Sequence, residues 1–272
     1  MRQPAVSGRF YPDAPEALER DVRALLAPLR QFATAATARA AIVPHAGYVY
    51  SGLTAAHVFV RLELPRLVVI LAPNHTGVCR TPGGVSLWEA GAFATPLGLV
   101  PVDANLAEAV RASSPLVGVD HAAHQHEHAI EVELPFLQVE RPDVAVVPLV
   151  LAWDTWDEAR ALGEALAQVV RAWPEPVLLL ASSDLNHYEP AAVTELKDAQ
   201  ALAAIRDLDG DELLRRCRSE RISMCGRGPA ATVLAAARAL GSTCGDVVDY
   251  RHSGWVTGDE ALVVGYGGVV IL

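Results

Sequence analysis

"RLVVILAPNHTG", residues 66–77, holds the pattern that decides the fold. Leu67 to Ala72 are apolar without a break, and Pro73, Asn74, His75, Thr76 and Gly77 close the run with turn formers and a potential ligand. A short unbroken apolar run between polar ends reads as a strand buried on both faces, the usual state of strands in a parallel sheet. The same reading extends outward to "RAAIVP" (39–44), "VAVVPLVL" (144–151), "PVLLLASS" (176–183), "VVDYR" (247–251) and "ALVVGYGGVVIL" (261–272). Between them, residues 15–29, 51–63, 104–113, 156–173, 191–208, 209–220 and 228–241 repeat their apolar positions at three- and four-residue steps and are expected to be helices. Strands alternating with helices predict an α/β fold, a mainly parallel or mixed central sheet flanked by helices. Residues 77–102, with Gly, Pro and "WEAGAFATPLG", read as a hairpin or a long loop.

Bulk composition sets outer limits. The 272 residues are 51% hydrophobic and 20% charged, enough apolar surface for a real core. No repeat or low-complexity linker divides the chain, so one domain over 1–272 is expected. The formal charge of −10, without a basic stretch, argues against nucleic acid as a partner. "MRQPAVSGRFYPDAPEALERDV" contains no signal-like apolar run, and no window reaches the roughly 18–20 apolar residues of a membrane helix. A soluble, cytoplasmic protein is expected. Cys79, Cys217, Cys225 and Cys244 form no CxxC pair and read as free thiols or metal ligands.

The polar residues beyond the strands form a second pattern. "AAIVPHAGYVYSG" ends a strand in His45, "VVILAPNHTG" in Asn74 and His75, and "VLLLASSDLNHYEP" in Ser182, Ser183, Asp184, Asn186 and His187. One histidine after a strand is usually an ordinary loop residue. Three at equivalent positions point to a crevice beyond the carboxyl ends of the strands, where open α/β sheets collect their functional groups. Cys225, in "SMCGRGPAATVLAAARALG", precedes a helix expected to begin near Pro229, where the helix dipole would favour the thiolate. A buried, inert thiol at a tight turn is the alternative.

These segments also carry a resemblance. "SGRFYP" (7–12), "PHAGYVYSG" (44–52), "LAPNHTG" (71–77), "EHAIEVELPFL" (127–137), "SSDLNHY" (182–188) and "CGRGP" (225–229) resemble, in order and spacing, the motifs of the Memo family. Its prokaryotic members are called AmmeMemoRadiSam system protein B. The family is similar in fold to class III extradiol dioxygenases, non-haem iron enzymes with two histidine ligands, one glutamate ligand and an acid/base histidine. The resemblance implies His45 and His75 as metal ligands, Cys225 at the carboxylate ligand's position, and His187 as acid/base, oriented by Asp184. Phe10, Tyr50, Glu127, His128 and Arg227 are expected on the substrate side. Fe(II) is the implied metal, with copper next and zinc behind them, since a thiolate is softer than a carboxylate. Implied partners are an AmmeMemoRadiSam protein A-like domain, a radical SAM protein, and a small-molecule or peptide ligand. The chain departs from the family at Thr76 and at Glu133, where other members often carry His.

The densest histidine cluster is a separate matter. His121, His124 and His126 fall in a loop-like stretch ahead of "EHAIEVELPFL", whose Pro135 is expected to kink a helix. They read as a solvated loop, with an adventitious metal site or a pH-sensitive lid as alternatives. HExxH spacing is absent. Three functional readings remain: a dioxygenase-like metal enzyme, a peptide- or small-ligand-binding module on a vestigial site, and a zinc hydrolase or deaminase using Glu127 or His187 as base.

Overall fold

Every residue of Leu67–Pro73 is buried in a strand, and so is every residue of Ala145–Leu151 and Val177–Ser182. The computed structural model describes residues 1–272. Its strands are β1 (Ala40–Val43), β2 (Leu67–Pro73), β3 (Val85–Leu87), β4 (Ala92–Thr95), β5 (Gly98–Pro101), β6 (Val117–Val119), β7 (Ala145–Leu151), β8 (Val177–Ser182), β9 (His187–Glu189), β10 (Gly245–His252) and β11 (Val263–Ile271). The helices are α1 (Pro15–Arg30), α2 (Tyr48–Phe59), α3 (Ala104–Ser113), α4 (Leu134–Glu140), α5 (Trp156–Ala172), α6 (Ala191–Arg206), α7 (Gly210–Ser219), α8 (Arg227–Ala239) and α9 (Gly254–Thr257).

The central sheet runs β10-β11-β1-β8-β2-β7-β3-β6, with β9 pairing onto β11. β1, β8, β2 and β7 are parallel neighbours; β11 joins β1, and β3 joins β7, antiparallel. The sheet is therefore mixed, and the fold is α/β as expected. α1, α2 and α4 pack together on one face, and α5, α7 and α8 pack together on the other. The core is continuous from Val6 to Ile271, so both ends of the chain share it. No helix is long and apolar enough to cross a membrane.

Register explains where a site can form. Ala181 of β8 lies opposite Ile42 of β1 on one side and Leu71 of β2 on the other. These three parallel strands end side by side, so the residues that follow them are neighbours despite their separation in sequence.

Several local expectations change. α2 begins at Tyr48 rather than Ser51, which puts Tyr48 and Tyr50 in its first turn. Residues 77–102 contain a strand of the main sheet, β3, as well as the β4–β5 hairpin. Pro135 sits in the first turn of α4, where its missing N–H costs nothing, and introduces no mid-helix kink. A 3-10 turn over Glu131–Glu133 leads into that helix.

Candidate metal centre

His45, His75 and His128 each direct a ring nitrogen into one crevice, and these atoms lie within 4.8 Å of one another. The first two follow β1 and β2. His128 arrives from the turn before the 3-10 segment and stacks on His75 with ring centroids 4.7 Å apart. The sequence placed His128 among substrate contacts and Cys225 as the third ligand; the structure gathers all four side chains. Cys225 Sγ lies 3.3 Å from His45 Nε2. An imidazole nitrogen at about 2.0–2.1 Å and a thiolate sulfur at about 2.3 Å from one tetrahedral metal would sit roughly 3.5 Å apart. The His45–Cys225 pair is thus spaced as two ligands of one metal ion would be, while the donors that all lie within 4.8 Å of one another are those of His45, His75 and His128.

The surrounding groups orient these donors. His75 Nδ1 lies 2.9 Å from Glu127 Oε1, and the His75 backbone N–H donates to Glu127 Oε2 at 2.7 Å. Glu127 is buried and also accepts the His128 and Ala129 backbone N–H groups. It is thus a clamp beneath the histidines and does not itself line the cavity above them. With Nδ1 engaged, His75 keeps Nε2 for the crevice, the usual arrangement of a metal-ligating imidazole. Burial lowers the His75 pKa, but the Glu127 hydrogen bond and charge outweigh it and raise it. Burial raises the Glu127 pKa in turn, and the His75 contact holds it below the usual carboxylate range. Burial keeps His45 far below the ordinary histidine value, with the neighbouring His128, His75 and His187 adding to the effect. His128 is lowered by burial as well.

Asp184 plays a different part from the one expected. Its Oδ1 accepts the His45 backbone N–H at 2.8 Å, and it makes no hydrogen bond to His187. Burial raises its pKa to about 7. His187 is held by its backbone N–H, which donates to Ser223 Oγ at 2.8 Å, and burial lowers its pKa. Cys225 also departs from expectation. Burial pushes its thiol well above the ordinary value, against the hydrogen bond from the Asp184 backbone N–H. The free thiol is therefore protonated at neutral pH, and a cation in the crevice is the agent that would reverse this.

A cavity of about 730 Å³ opens over these groups. Phe10, Tyr50 and the four histidines His45, His75, His128 and His187 line it, together with Asp184 and Cys225. Phe10 meets His128 edge-on at 5.1 Å between centroids. Arg9, Tyr188, Ser223 and Tyr266 also line it and escaped the sequence reading. Tyr266 lies in a glycine-rich strand that gave no catalytic signal. Arg227 is not part of this cavity: it pairs with Asp154 and lines a smaller space beside Trp153. The cluster at 121–126 forms no single site. His121 stacks on Trp88 and contacts Glu89, whereas His124 is buried with Nε2 2.9 Å from Ser86 O, so the solvated-loop expectation fails there.

The seat of Cys225 depends on Gly226. A Cβ there would come within 2.5 Å of Ser183 Cβ and press on Ser182 O at the end of β8. Gly226→Ala is expected to cost about 1–3 kcal/mol of stability through overpacking. It should also displace Cys225 from His45. Thermal unfolding and metal content of the variant check this; a Tm equal to the wild type would show that the end of β8 yields freely.

These features define an α/β protein with a histidine-lined crevice whose three imidazoles could hold a metal ion. A family model described as Memo-like protein matches residues 2–270. MEMO1 family proteins of Aquifex aeolicus and Methanosarcina barkeri are each 38% identical to this chain, with coverage of 99–100% on both sides. That of Methanothermobacter thermautotrophicus is 37% identical over 98% of both chains. The chain belongs to the Memo family. Among solved structures, an uncharacterized protein JW3007 from Escherichia coli K12 aligns with 84% of this chain and 99% of its own, at 14% identity and a TM-score of 0.49.

Proposed function

We propose that this crevice holds one redox-active metal ion, Fe(II) ahead of copper, and carries out dioxygenase-like oxidation of a small molecule. The convergence of three imidazole nitrogens and a thiol at one cavity floor carries the reading. Bound there, the metal would supply electron transfer to O₂ and Lewis-acid polarisation of a substrate oxygen. His45 and His75 would hold it, with Cys225 and His128 competing for the third position. His187, neutral because burial lowers its pKa, is suited to accept a proton from a substrate in the cavity. Asp184, raised to about 7, can give or take a proton near neutral pH while fixing the His45 backbone. Phe10, Tyr50, Tyr188 and Tyr266 offer apolar walls that would limit water around the substrate.

Anaerobically purified wild type, His45→Ala, Cys225→Ser and His128→Ala, assayed for bound metal and oxygen uptake, test this. About one iron or copper per wild-type chain, lost in His45→Ala, is the expected result. Whichever of Cys225→Ser and His128→Ala loses metal identifies the third ligand. No metal after anaerobic Fe(II) and Cu(I) reconstitution would sink the reading. Metal without oxygen uptake across a panel of small aromatic and aliphatic acids would favour a ligand-binding module instead.

A further inference from the structure

Behind His45 lies a buried polar cluster that none of the proposed chemistry uses. Ser182 Oγ lies 2.8 Å from His45 Nδ1, 2.8 Å from Ala129 O and 2.9 Å from Glu133 Oε1. Ser182 and Glu133 are completely buried, and His45 is nearly so. Glu133 Oε2 has no hydrogen-bond partner.

Donor counting leaves one arrangement that satisfies all three contacts. A serine hydroxyl has one proton to give and two lone pairs to receive with. Ala129 O is a carbonyl and only accepts, so it takes the Ser182 proton. The other two neighbours must then both donate: Nδ1–H of His45 and an O–H on Glu133 Oε1. An ionised Glu133 would leave two acceptors facing each other at hydrogen-bond distance, and would leave Oε2 as an unpaired buried charge. We propose that Glu133 is a neutral carboxylic acid that, through Ser182, locks His45 in its Nδ1–H tautomer and so aims the Nε2 lone pair into the crevice. Glu133 and Ser182 are positioning residues. Burial, which raises the Glu133 pKa far above the ordinary carboxylate value with nearby Asp184 acting in the same direction, agrees with this assignment.

The use of Nε2 rests on the proposed metal site, but the tautomer itself is read in metal-free protein. ¹⁵N NMR of the His45 ring and infrared difference spectroscopy against Glu133→Gln are the measurements. The expected result is a protonated Nδ1, together with a carboxylic-acid carbonyl band at neutral pH that disappears in Glu133→Gln. That variant should keep the tautomer, because its amide N–H replaces the acid O–H in a side chain of the same shape. Ser182→Ala should let the Nε2–H form accumulate and raise the metal Kd roughly 10- to 100-fold. Protonated Nε2 in the wild type, no acid band, or unchanged metal affinity in Ser182→Ala would each overturn the proposal. A protein that binds no metal but shows both spectroscopic signatures would overturn the metal site and leave the Glu133–Ser182–His45 assignment standing.

Discussion

Glu131→Ala is expected to lower the unfolding free energy by about 3–5 kcal/mol, because it strands a buried guanidinium. Glu131 is fully buried, and Arg2 is 2% exposed. The carboxylate receives four donors: Arg2, the Ala5 and Val6 backbone N–H groups at 2.7 and 3.0 Å, and the Tyr11 hydroxyl. Arg2 spends its remaining donors on the backbone carbonyls of His124 and Glu127. Removing the carboxylate therefore leaves a charge and three further donors without an acceptor. An Arg2→Met/Glu131→Leu double variant should lose less than Glu131→Ala alone, since both charges disappear together. Urea denaturation of the three proteins decides it. A loss below about 1 kcal/mol in Glu131→Ala would mean that water or a shifted backbone replaces the carboxylate. Metal content should fall with the fold, because the same turn presents Glu127 and His128.

Asp198 is expected to make the protein less stable as pH rises from 4 to 8. It is buried on α6, accepting the Asn186 backbone N–H at 2.8 Å and the Tyr250 hydroxyl at 2.8 Å. Burial lifts its pKa from 3.8 to about 7, with the charges of Glu189 and Glu195 adding to the effect. The folded state then holds a proton that the unfolded chain has already released. This contribution is complete below about pH 4 and is lost as pH climbs through 7. About three pH units correspond to roughly 4 kcal/mol between these limits. Asp198→Asn removes the titration, so its stability relative to wild type should improve by a few kcal/mol from pH 5 to pH 8. Parallel pH profiles for the two proteins would refute the assignment.

The layout of the sheet was legible because buried strands announce themselves. Leu67–Pro73 and Val177–Ser182 are apolar throughout, and the histidine or aspartate after each lands at the crevice. Three-residue strands such as β3 and β6 are too short to show a period, so they were hidden. His128 misled for another reason. It leaves no strand; its position comes from Glu127 below it and from the turn that Glu131 anchors to distant Arg2. Cys225 misled through magnitude. A helix N-terminus offers a thiolate a modest attraction, and desolvation at the crevice floor costs it more. Asp184 is three residues from His187, yet its carboxylate turns to the backbone of His45, on a neighbouring strand's end. Sequence proximity carries no information about such a choice. The glycines of "GYGGVV" (265–270) have a packing reason that no period reveals: a Cβ at Gly265 would overlap Asp198, so the strand is thin where α6 presses its acid against the sheet.

Segment 2–11 has a consequence for how the molecule is made. Arg2 bridges to Phe93 within β4, and its side chain ends among residues 124–131, while Phe10 packs edge-on against His128. During synthesis Arg2 leaves the ribosome more than a hundred residues ahead of its side-chain partners. Until they emerge the guanidinium has no acceptor, and closing so long a loop carries an entropic cost that local helices avoid. The Arg2 side chain therefore docks only after residues 124–131 have been made, well after Tyr48 has become available to Phe10 and Tyr11. A nascent chain stalled before residue 124 would lack the side-chain partners of Arg2 and should expose residues 2–6 to protease, whereas the finished chain should protect them.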